Sequence, residues 1–299
     1  MSLQQTLLVS VVLGLGACIS TPTSSHVLKV KAEGLPLVLK IANLELYCGG
    51  QPQGELGFSS LAELGVRTVV NVGGARPDLK TAAKFGIEYV HIPIGYDGID
   101  EISAAALQRV ARDCEFPVYV HCYHGQHRGP AAAALIARAA GGIGPADAVK
   151  IMEAAETNPG YSGLWRDVRE WVPLDAEDWF PELESVAVID DFTAGMAAVD
   201  RVWDRMKLIR SAQWGTPPSH PDLVASLEAD YLADLLFNTI HSASTENNSV
   251  SRFNNLALES IEASRELVAG IKAGSNDAAE ASFSRLGNAC TQCHRSFRN

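Results

Sequence analysis

A cysteine and an arginine six positions apart, Cys122 and Arg128, form a pair whose residue types and spacing could do chemistry. They flank a short loop between the apolar run PVYVHC and an alanine-rich stretch that begins at Gly129. If the run is a strand and the stretch is a helix, N–H groups of the loop converge at the helix N-terminus and form a cradle for an anion such as phosphate. The same field favours a thiolate, which makes Cys122 a candidate nucleophile, while Arg128 offers a planar fork for two phosphate oxygens.

The residues between this pair are candidates for substrate binding. They are Tyr123, His124, Gly125, Gln126 and His127. A glycine at position 125 lets the backbone approach a ligand closely, and the two histidines add positive charge at acidic pH, although His127 could instead only pack beneath the loop. Two other interpretations stay open: a redox-active or structural Cys122 without catalysis, and a sulfur-transfer enzyme that carries a persulfide on Cys122. The arginine at the sixth position after the cysteine favours phosphate.

A second cysteine motif, Cys290-Thr291-Gln292-Cys293-His294, lies close to the C-terminus. Its spacing lets two thiols form thioethers to haem vinyl groups while the adjacent imidazole of His294 binds the iron. A redox pair or a zinc site is the alternative, but a redox pair favours a βαβ setting and zinc needs further ligands. The sequence therefore predicts haem c bound covalently through Cys290 and Cys293.

The elements that must position these motifs divide into two parts. At 299 residues the chain exceeds a typical single domain. Short β-rich runs alternate with helix-like stretches from Leu37 to Val172, which predicts an α/β domain with a central sheet flanked by helices. From Val186 onward, apolar residues recur at three- and four-residue steps in four stretches, which predicts an all-α four-helix bundle. The predicted boundaries are 1–25 for a leader and tether, 26–173, a linker at 174–185, and 186–299.

The first of these domains resembles the protein tyrosine and dual-specificity phosphatase superfamily, in particular its atypical bacterial members. The resemblance rests on the loop at 121–128 and on the segments LYCGGQP, LGVRTVVNV and YVHIPI at 46–52, 64–72 and 89–94. It implies hydrolysis of a phosphorylated protein, lipid or small molecule through a phosphocysteine intermediate. The family also carries an acidic residue, the general acid, on a loop after the strand that YVHIPI resembles. Spacing from that strand favours Asp97 over Asp100.

Two positions depart from the family pattern. Gly129 stands where the family has Ser or Thr, whose hydroxyl stabilises the departing thiolate, so turnover is expected to be slow or absent. Cys48 stands where the family has Arg, which removes a positive charge and adds a thiol near oxidised Cys122. A disulfide between Cys48 and Cys114 is the other arrangement considered for these thiols in an oxidising compartment.

The C-terminal stretch resembles the cytochromes c prime, whose last helix ends in Cys-x-x-Cys-His-x-x-Phe-Arg. The resemblance covers 186–299 and implies a haem packed inside the bundle, with His294 as the proximal ligand. It also implies a vacant sixth position that binds small gases, or a methionine there, for which Met196 and Met206 are candidates. His241 is a weaker candidate near a helix end. A redox partner, a gas ligand and dimerisation of the bundle are the corresponding partner expectations.

The N-terminal residues suit an export signal. An apolar run too short to span a bilayer ends in Leu15-Gly16-Ala17-Cys18, which resembles the lipobox of bacterial lipoproteins. This predicts a periplasmic protein, lipid-anchored through Cys18, although no Lys or Arg precedes the run and a plain apolar helix is the alternative. The net charge of −11 disfavours nucleic acid as a partner. The leading hypothesis is an exported phosphatase fused to a haem domain; the alternative is a gas-binding or electron-transfer haem protein whose α/β part is non-catalytic or redox-sensing.

Overall fold

The α/β part is built on one six-stranded sheet. The computed structural model describes residues 27–41, 44–175, 177–221, 223–244 and 251–297. The strands are β1 (Val27–Val30), β2 (Val38–Ile41), β3 (Leu46–Gly49), β4 (Thr68–Asn71), β5 (Glu88–His91) and β6 (Val118–His121). Their order is β1-β2-β3-β6-β4-β5; β3, β6, β4 and β5 run parallel, whereas β1 and β2 pair antiparallel.

Helices cover both faces of this sheet. They are α1 (Gly54–Glu63), α2 (Leu79–Lys84), α3 (Glu101–Asp113), α4 (Arg128–Ala139), α5 (Pro145–Ala154) and α6 (Ser162–Glu170). Strand side chains alternate between the faces. In β6, Val118 and Val120 join the core beneath α3, α4, α5 and α6, whereas Tyr119 joins the core with Phe58 and Leu61 of α1. The sheet is therefore buried on both sides, which explains why its central strands read as near-continuous apolar runs.

The C-terminal region is helical. Its helices are α7 (Asp191–Ser211), α8 (Ala225–Ser244), α9 (Ser251–Lys272) and α10 (Asn276–Phe297). All four contribute to one apolar core, which includes Met206, Leu232, Leu267 and Phe283. The predicted helical region is thus present, and its assignment as a bundle of the cytochrome c prime type stays a prediction.

The linker predicted at 174–185 runs against the α/β part. Gln108 of α3 exchanges two hydrogen bonds of 2.8 Å with the backbone of Leu174. The N–H of His91 donates to the Glu184 carbonyl at 2.8 Å, and the Ala187 N–H donates to Nδ1 of His91 at 3.2 Å. These bonds bring the chain along β5 before helix α7 begins.

Cys18 and the rest of the predicted leader lie outside the described residues. Within the ranges that the structure describes, no helix combines the length and apolar character needed to cross a membrane.

Candidate functional site

The Cys122 loop lies between β6 and α4, as the sequence predicts. β6 ends at His121 and α4 begins at Arg128, so the loop follows the carboxyl end of a central parallel strand, where ligands bind in open α/β sheets. Cys122 is 4% exposed. The segment that follows β4 lies beside Cys122: a Cβ built on Gly73 would come within 3.9 Å of the Cys122 Cα.

The loop presents hydrogen-bond donors that lack acceptors. No described residue accepts a hydrogen bond from the amide N–H groups of Tyr123, His124, Gly125 and Gln126. The Nε of Arg128 is buried and has no hydrogen-bond partner among the described residues. The guanidinium of Arg128 lies 4.2 Å over the Tyr96 ring. Since nearly all buried donors in native proteins are paired, the unpartnered Nε of Arg128 fits a ligand that accepts hydrogen bonds, and the open amides of the same loop add further donors for an anion.

Backbone contacts hold the loop in its curve. Gly125 has φ +78°, and a Cβ on it would collide with the backbone of Gly49 and Gly50, so glycine is required both for conformation and for space. The Gln51 N–H donates to the Tyr123 carbonyl at 2.9 Å, and Thr157 Oγ1 donates to the Gln126 carbonyl at 2.5 Å. These two hydrogen bonds occupy carbonyl groups of the loop, whereas the amide groups of residues 123–126 have no acceptor among the described residues.

A buried histidine supports the start of the loop, and the sequence analysis did not identify its role. His121 Nδ1 lies 3.2 Å from the Cys122 carbonyl oxygen, and its Nε2 lies 2.6 Å from the Tyr89 hydroxyl. Because a carbonyl only accepts, Nδ1 donates and Nε2 accepts from Tyr89. Burial lowers the pKa of His121 to about 4, which keeps the ring neutral. The paired polar residues inside YVHIPI and PVYVHC are the sequence signal for this network.

The two histidines of the loop point away from one another. His124 contacts helix α7, with Nε2 at 3.0 Å from Asp204 Oδ2. His127 packs its ring against Tyr161, with centroids 4.7 Å apart, and its Nδ1 accepts from the Asn158 N–H at 3.4 Å. The loop amides and the Nε of Arg128 therefore form the free donors of the site, while Nη1 of Arg128 donates to the Ile94 carbonyl at 3.4 Å. The contact of His124 with Asp204 was not foreseen from the sequence.

The two acidic candidates have different surroundings. Asp100 is the N-cap of α3 and accepts from Ser103 N at 2.9 Å and from Ser103 Oγ at 2.7 Å. Asp97 is exposed and lines the same cavity as Arg128 and Tyr123. Of the two predicted acids, Asp100 is engaged as a helix cap, whereas Asp97 faces the cavity that Arg128 and Tyr123 line.

The remaining cysteines of the α/β part are free thiols, so the disulfide considered between Cys48 and Cys114 is absent from the structure. Cys48 is fully buried in the core that also contains Cys122; burial, followed by the charge of Cys122, raises its pKa. Burial likewise raises the pKa of Cys114 to about 11. At Gly129, a Cβ would lie 3.2 Å from the Cys122 nitrogen, so the glycine allows close packing of helix and loop.

The second cysteine motif lies at the C-terminal end of α10. Cys290, Cys293 and His294 line a cavity of about 1270 Å³, into which all four helices place apolar groups. Examples of these groups are Met196, Leu236, Phe253 and Leu286. The paired thiols, the imidazole and the apolar walls fit a haem attached through Cys290 and Cys293 with His294 as ligand.

Electrostatics distinguishes this motif from the alternatives. Burial raises the pKa of Cys290 to about 11 and also raises the pKa of Cys293. Reactive redox pairs have lowered thiol pKa values. No group of three or more His, Cys, Asp or Glu able to hold a metal ion occurs among the described residues, which leaves zinc without a ligand set there.

The three candidates for a sixth iron ligand lie in different surroundings. Met196 lines the cavity, whereas Met206 is fully buried in the core of the helical region. His241 is exposed, and its Nδ1 lies 2.9 Å from the Phe237 carbonyl. Of the two methionines, Met196 is therefore the one placed near the predicted haem.

The same cavity is lined by residues from both candidate sites. Its walls include Asp97, Tyr123 and Arg128 from the α/β part together with Cys290 and His294 from the helical region. Helix α7 forms a shared wall, and the Thr193 side chain at its start packs so closely on Gly74 that no Cβ fits there. The spacing of residues along the sequence gave no indication that Arg128 and His294 line the same cavity.

Solved structures similar to this chain match its N-terminal half. TpbA of P. aeruginosa has 20% identity and a TM-score of 0.36, covering 50% of this chain and 99% of its own. The core catalytic domain of the PP-IP phosphatase SIW14 from S. cerevisiae has 17% identity and a TM-score of 0.40, covering 48% and 88%. A DUF442 protein from Shewanella putrefaciens CN-32 has 22% identity and a TM-score of 0.36, covering 46% and 90%. No family model and no curated protein matches the sequence.

Proposed function

We propose that the α/β part hydrolyses phosphomonoesters through Cys122. The observation that carries this proposal is the set of donors around the loop: four amides at residues 123–126 without acceptors and a buried, unpartnered Nε on Arg128. A tetrahedral oxyanion would satisfy these donors, and charge-assisted hydrogen bonds of this kind are among the strongest in proteins.

In the proposed reaction, the Cys122 thiolate attacks phosphorus and the bond to the leaving oxygen breaks. Asp97 donates its proton to that oxygen, which departs as an alcohol. Water then attacks the phosphocysteine, gives its proton to the Asp97 carboxylate, and releases phosphate with the thiolate of Cys122 restored. Arg128 and the loop amides hold the phosphoryl oxygens in both steps.

The substrate class is proposed only as a phosphomonoester of a protein, lipid or small molecule. A solved TpbA structure holds phosphotyrosine. In this chain, the ring of Tyr96 lines the cavity and lies 4.2 Å from the Arg128 guanidinium, and an aromatic wall suits an aryl leaving group.

The first test is release of phosphate from an aryl phosphate under reducing conditions. Cys122→Ser should abolish it, because a hydroxyl is hardly ionised near neutral pH. Arg128→Lys should also abolish it, because an ammonium group cannot grip two oxygens as the guanidinium does. Wild-type protein that releases no phosphate from aryl, lipid or inositol phosphates, and shows no burst of product, would contradict catalysis.

The second test identifies the acid. Asp97→Asn should reduce the rate about 10²–10⁴-fold for poor leaving groups and much less for a nitrophenolate, which departs without a proton. Asp100→Asn is the matched control, because asparagine caps a helix as well as aspartate does and keeps α3 intact. If Asp100→Asn shows the dependence on the leaving group and Asp97→Asn does not, the acid is Asp100.

We further propose that the helical region carries haem c on Cys290 and Cys293, with His294 on the iron. The fit rests on the cavity that these residues line and on its apolar walls. Bound haem would supply an iron that changes redox state or binds a small gas. Cys290 is largely buried beside this cavity and has a hydrogen bond with Ser260.

The test is covalent haem in protein exported from a host that matures c-type cytochromes. Wild-type protein should keep its colour after acid–acetone extraction, and Cys290→Ala with Cys293→Ala should lose it. Cys114→Ala, a half-buried cysteine in the α/β part, is the control and should keep the haem. Covalent haem in the double variant would contradict the assignment.

Export and anchoring through Cys18 belong to the same proposal, because attachment of this haem type in bacteria takes place outside the cytoplasm, as the cytochrome resemblance implies. Acylated protein should enter the membrane fraction and be released by detergent but not by salt. Finding Met1 intact on protein from the native host would contradict cleavage.

Gly129 favours one alternative function. Without the usual hydroxyl, the α/β part could bind an oxyanion or sense oxidation without turnover, and the haem region would then carry the activity as a gas-binding or electron-transfer protein. Binding of phosphate without hydrolysis, in protein that retains its haem, would select this alternative.

A further inference from the structure

Helix α7 of the helical region lies against the anion-binding loop of the α/β part. His124 Nε2 is 3.0 Å from Asp204 Oδ2, and the other oxygen of Asp204 accepts from Lys207 Nζ at 2.8 Å. The ring of Tyr123 packs against the His124 ring, with centroids 4.6 Å apart. Of the first two residues after Cys122, His124 therefore contacts α7 directly, and Tyr123 packs against His124.

The other contacts to the loop leave this end dependent on α7. Gln51 holds the Tyr123 carbonyl, and Thr157 holds the Gln126 carbonyl. Between these two anchors, two side chains of the loop reach Asp204: its carboxylate lies 3.0 Å from His124 Nε2 and also accepts a hydrogen bond from the Tyr123 hydroxyl. The amides of residues 123–125 are free donors, and their directions depend on backbone angles that this contact helps to fix.

We infer that Asp204 is a positioning residue for the anion site: by holding His124, it fixes the loop amides in the arrangement that binds a tetrahedral oxyanion. The inference deepens the proposed function and rests on it. Under it, the helical region is part of the machinery that binds the substrate phosphate, even though it contributes no group to the phosphate itself.

The charges around His124 give this contact a pH dependence. The groups that act on it are Asp204, Asp200 and Lys207 on α7 and Tyr123 within the loop. The hydrogen bond with Asp204 raises the pKa of His124, against the opposing effect of burial. Although burial of Asp204 acts in the other direction, hydrogen bonds from His124 and Lys207 lower the pKa of that carboxyl to about 2.

Because the folded pKa of His124 is raised, the contact is fully charge-assisted below the ordinary pKa of His and weakens as the pH rises through the raised value. Asp204 stays ionised throughout this range. The effect of Asp204 on anion binding should therefore be larger at pH 6.0 than at pH 9.0.

The experiment is calorimetric titration of the full chain with tungstate, a tetrahedral oxyanion, at both pH values. Asp204→Asn should weaken binding by about threefold to tenfold at pH 6.0, the range expected for loss of one such hydrogen bond, and by less at pH 9.0. Asp204→Glu should restore most of the affinity. Asp230→Asn is the matched control: Asp230 also pairs with a lysine, Lys272 at 2.8 Å, but the pair joins α8 to α9.

The variant His124→Gln distinguishes a positioning role of Asp204 from a general loss of structure. His124→Gln should also weaken tungstate binding, and adding Asp204→Asn to it should have a smaller effect than Asp204→Asn has alone. Both changes break the contact between His124 and Asp204, whereas the hydrogen bond from Tyr123 to Asp204 is affected only by the second. Wild-type protein that binds no tungstate overturns the proposed function and this inference with it. Wild-type binding that Asp204→Asn leaves unchanged at both pH values, or additive effects of the two variants, overturns this inference alone.

Discussion

His121, the residue before the candidate nucleophile, should make the α/β part less stable in mild acid. Its ring is 1% exposed, and both nitrogens are used by the neutral form: Nδ1 donates to the Cys122 carbonyl, and Nε2 accepts from Tyr89. Burial lowers its pKa to about 4, opposed by the bond to the carbonyl. A second proton would break the bond from Tyr89 and place a charge in the core.

The size of the effect follows from linkage. In the unfolded chain, a histidine has a pKa near about 6.5. Because the folded pKa is lower, the unfolded state binds the proton first as the pH falls. The stability lost through His121 is therefore nil well above pH 6.5, grows between about 6.5 and 4, and is constant below that. Between pH 7 and pH 5 the loss amounts to about 2 kcal/mol.

The change that tests this is His121→Gln, which removes the titration and keeps a polar side chain. Hydrogen exchange of peptides from β6 at pH 7 and pH 5 measures the free energy of opening of the α/β part. Wild-type protein should lose about 2 kcal/mol more than the variant over this interval, whereas His220→Gln, at an exposed position, should behave like wild type. An equal pH dependence in wild type and His121→Gln would refute the assignment of a neutral, buried ring.

Three further outcomes are expected. Gly129→Ser should shrink the burst of alcohol product and raise the steady rate, as measured by rapid-mixing kinetics. Gly129→Ala is the control and should do neither, because its Cβ lies at the same 3.2 Å from the Cys122 nitrogen but carries no hydroxyl. Gly125→Ala should abolish tungstate binding in calorimetry, because φ +78° and the backbone of Gly49 both exclude a side chain. Met196→Ala should leave the spin state and carbon monoxide binding of reduced haem unchanged in absorption spectra; loss of a low-spin spectrum would show that Met196 binds iron.

The sequence predicts the elements beside each motif well, because local signals are strong there. The run PVYVHC gives β6, and the alanine-rich stretch predicted from Gly129 to Ala140 gives α4, which begins one residue earlier, at Arg128. Helix boundaries are less accurate. The helix predicted from Val186 begins at Asp191, because Asp190 caps it by accepting from Thr193 N at 2.8 Å. Capping also separates the two acidic candidates, and Asp100 followed by Ser103 is a capping pattern that the sequence itself displays.

The long-range contacts of the site could not be predicted in this way. The pair His124–Asp204 spans 80 positions, and Tyr89–His121 spans 32; neither residue type nor spacing specifies such a pair without the packing of sheet and helices. The cavity lined by both parts of the chain also results from long-range packing. It depends on how α7 lies across the end of the sheet, which periodicity within α7 does not encode.

The two cysteine motifs sit at opposite ends of helices, and this difference accounts for their different proposed chemistries. Cys122 precedes the N-terminus of α4, where free amides and the positive end of the helix dipole favour an anion. Cys290 and Cys293 lie in the C-terminal half of α10, where burial raises the pKa of both thiols. Thiols of the second kind are poor nucleophiles toward phosphorus and suit covalent attachment to a cofactor. Because Tyr123 and Arg128 at the loop line the same cavity as Cys290 and His294 on α10, an oxyanion held at the loop and a haem held at α10 would lie within one electrostatic environment.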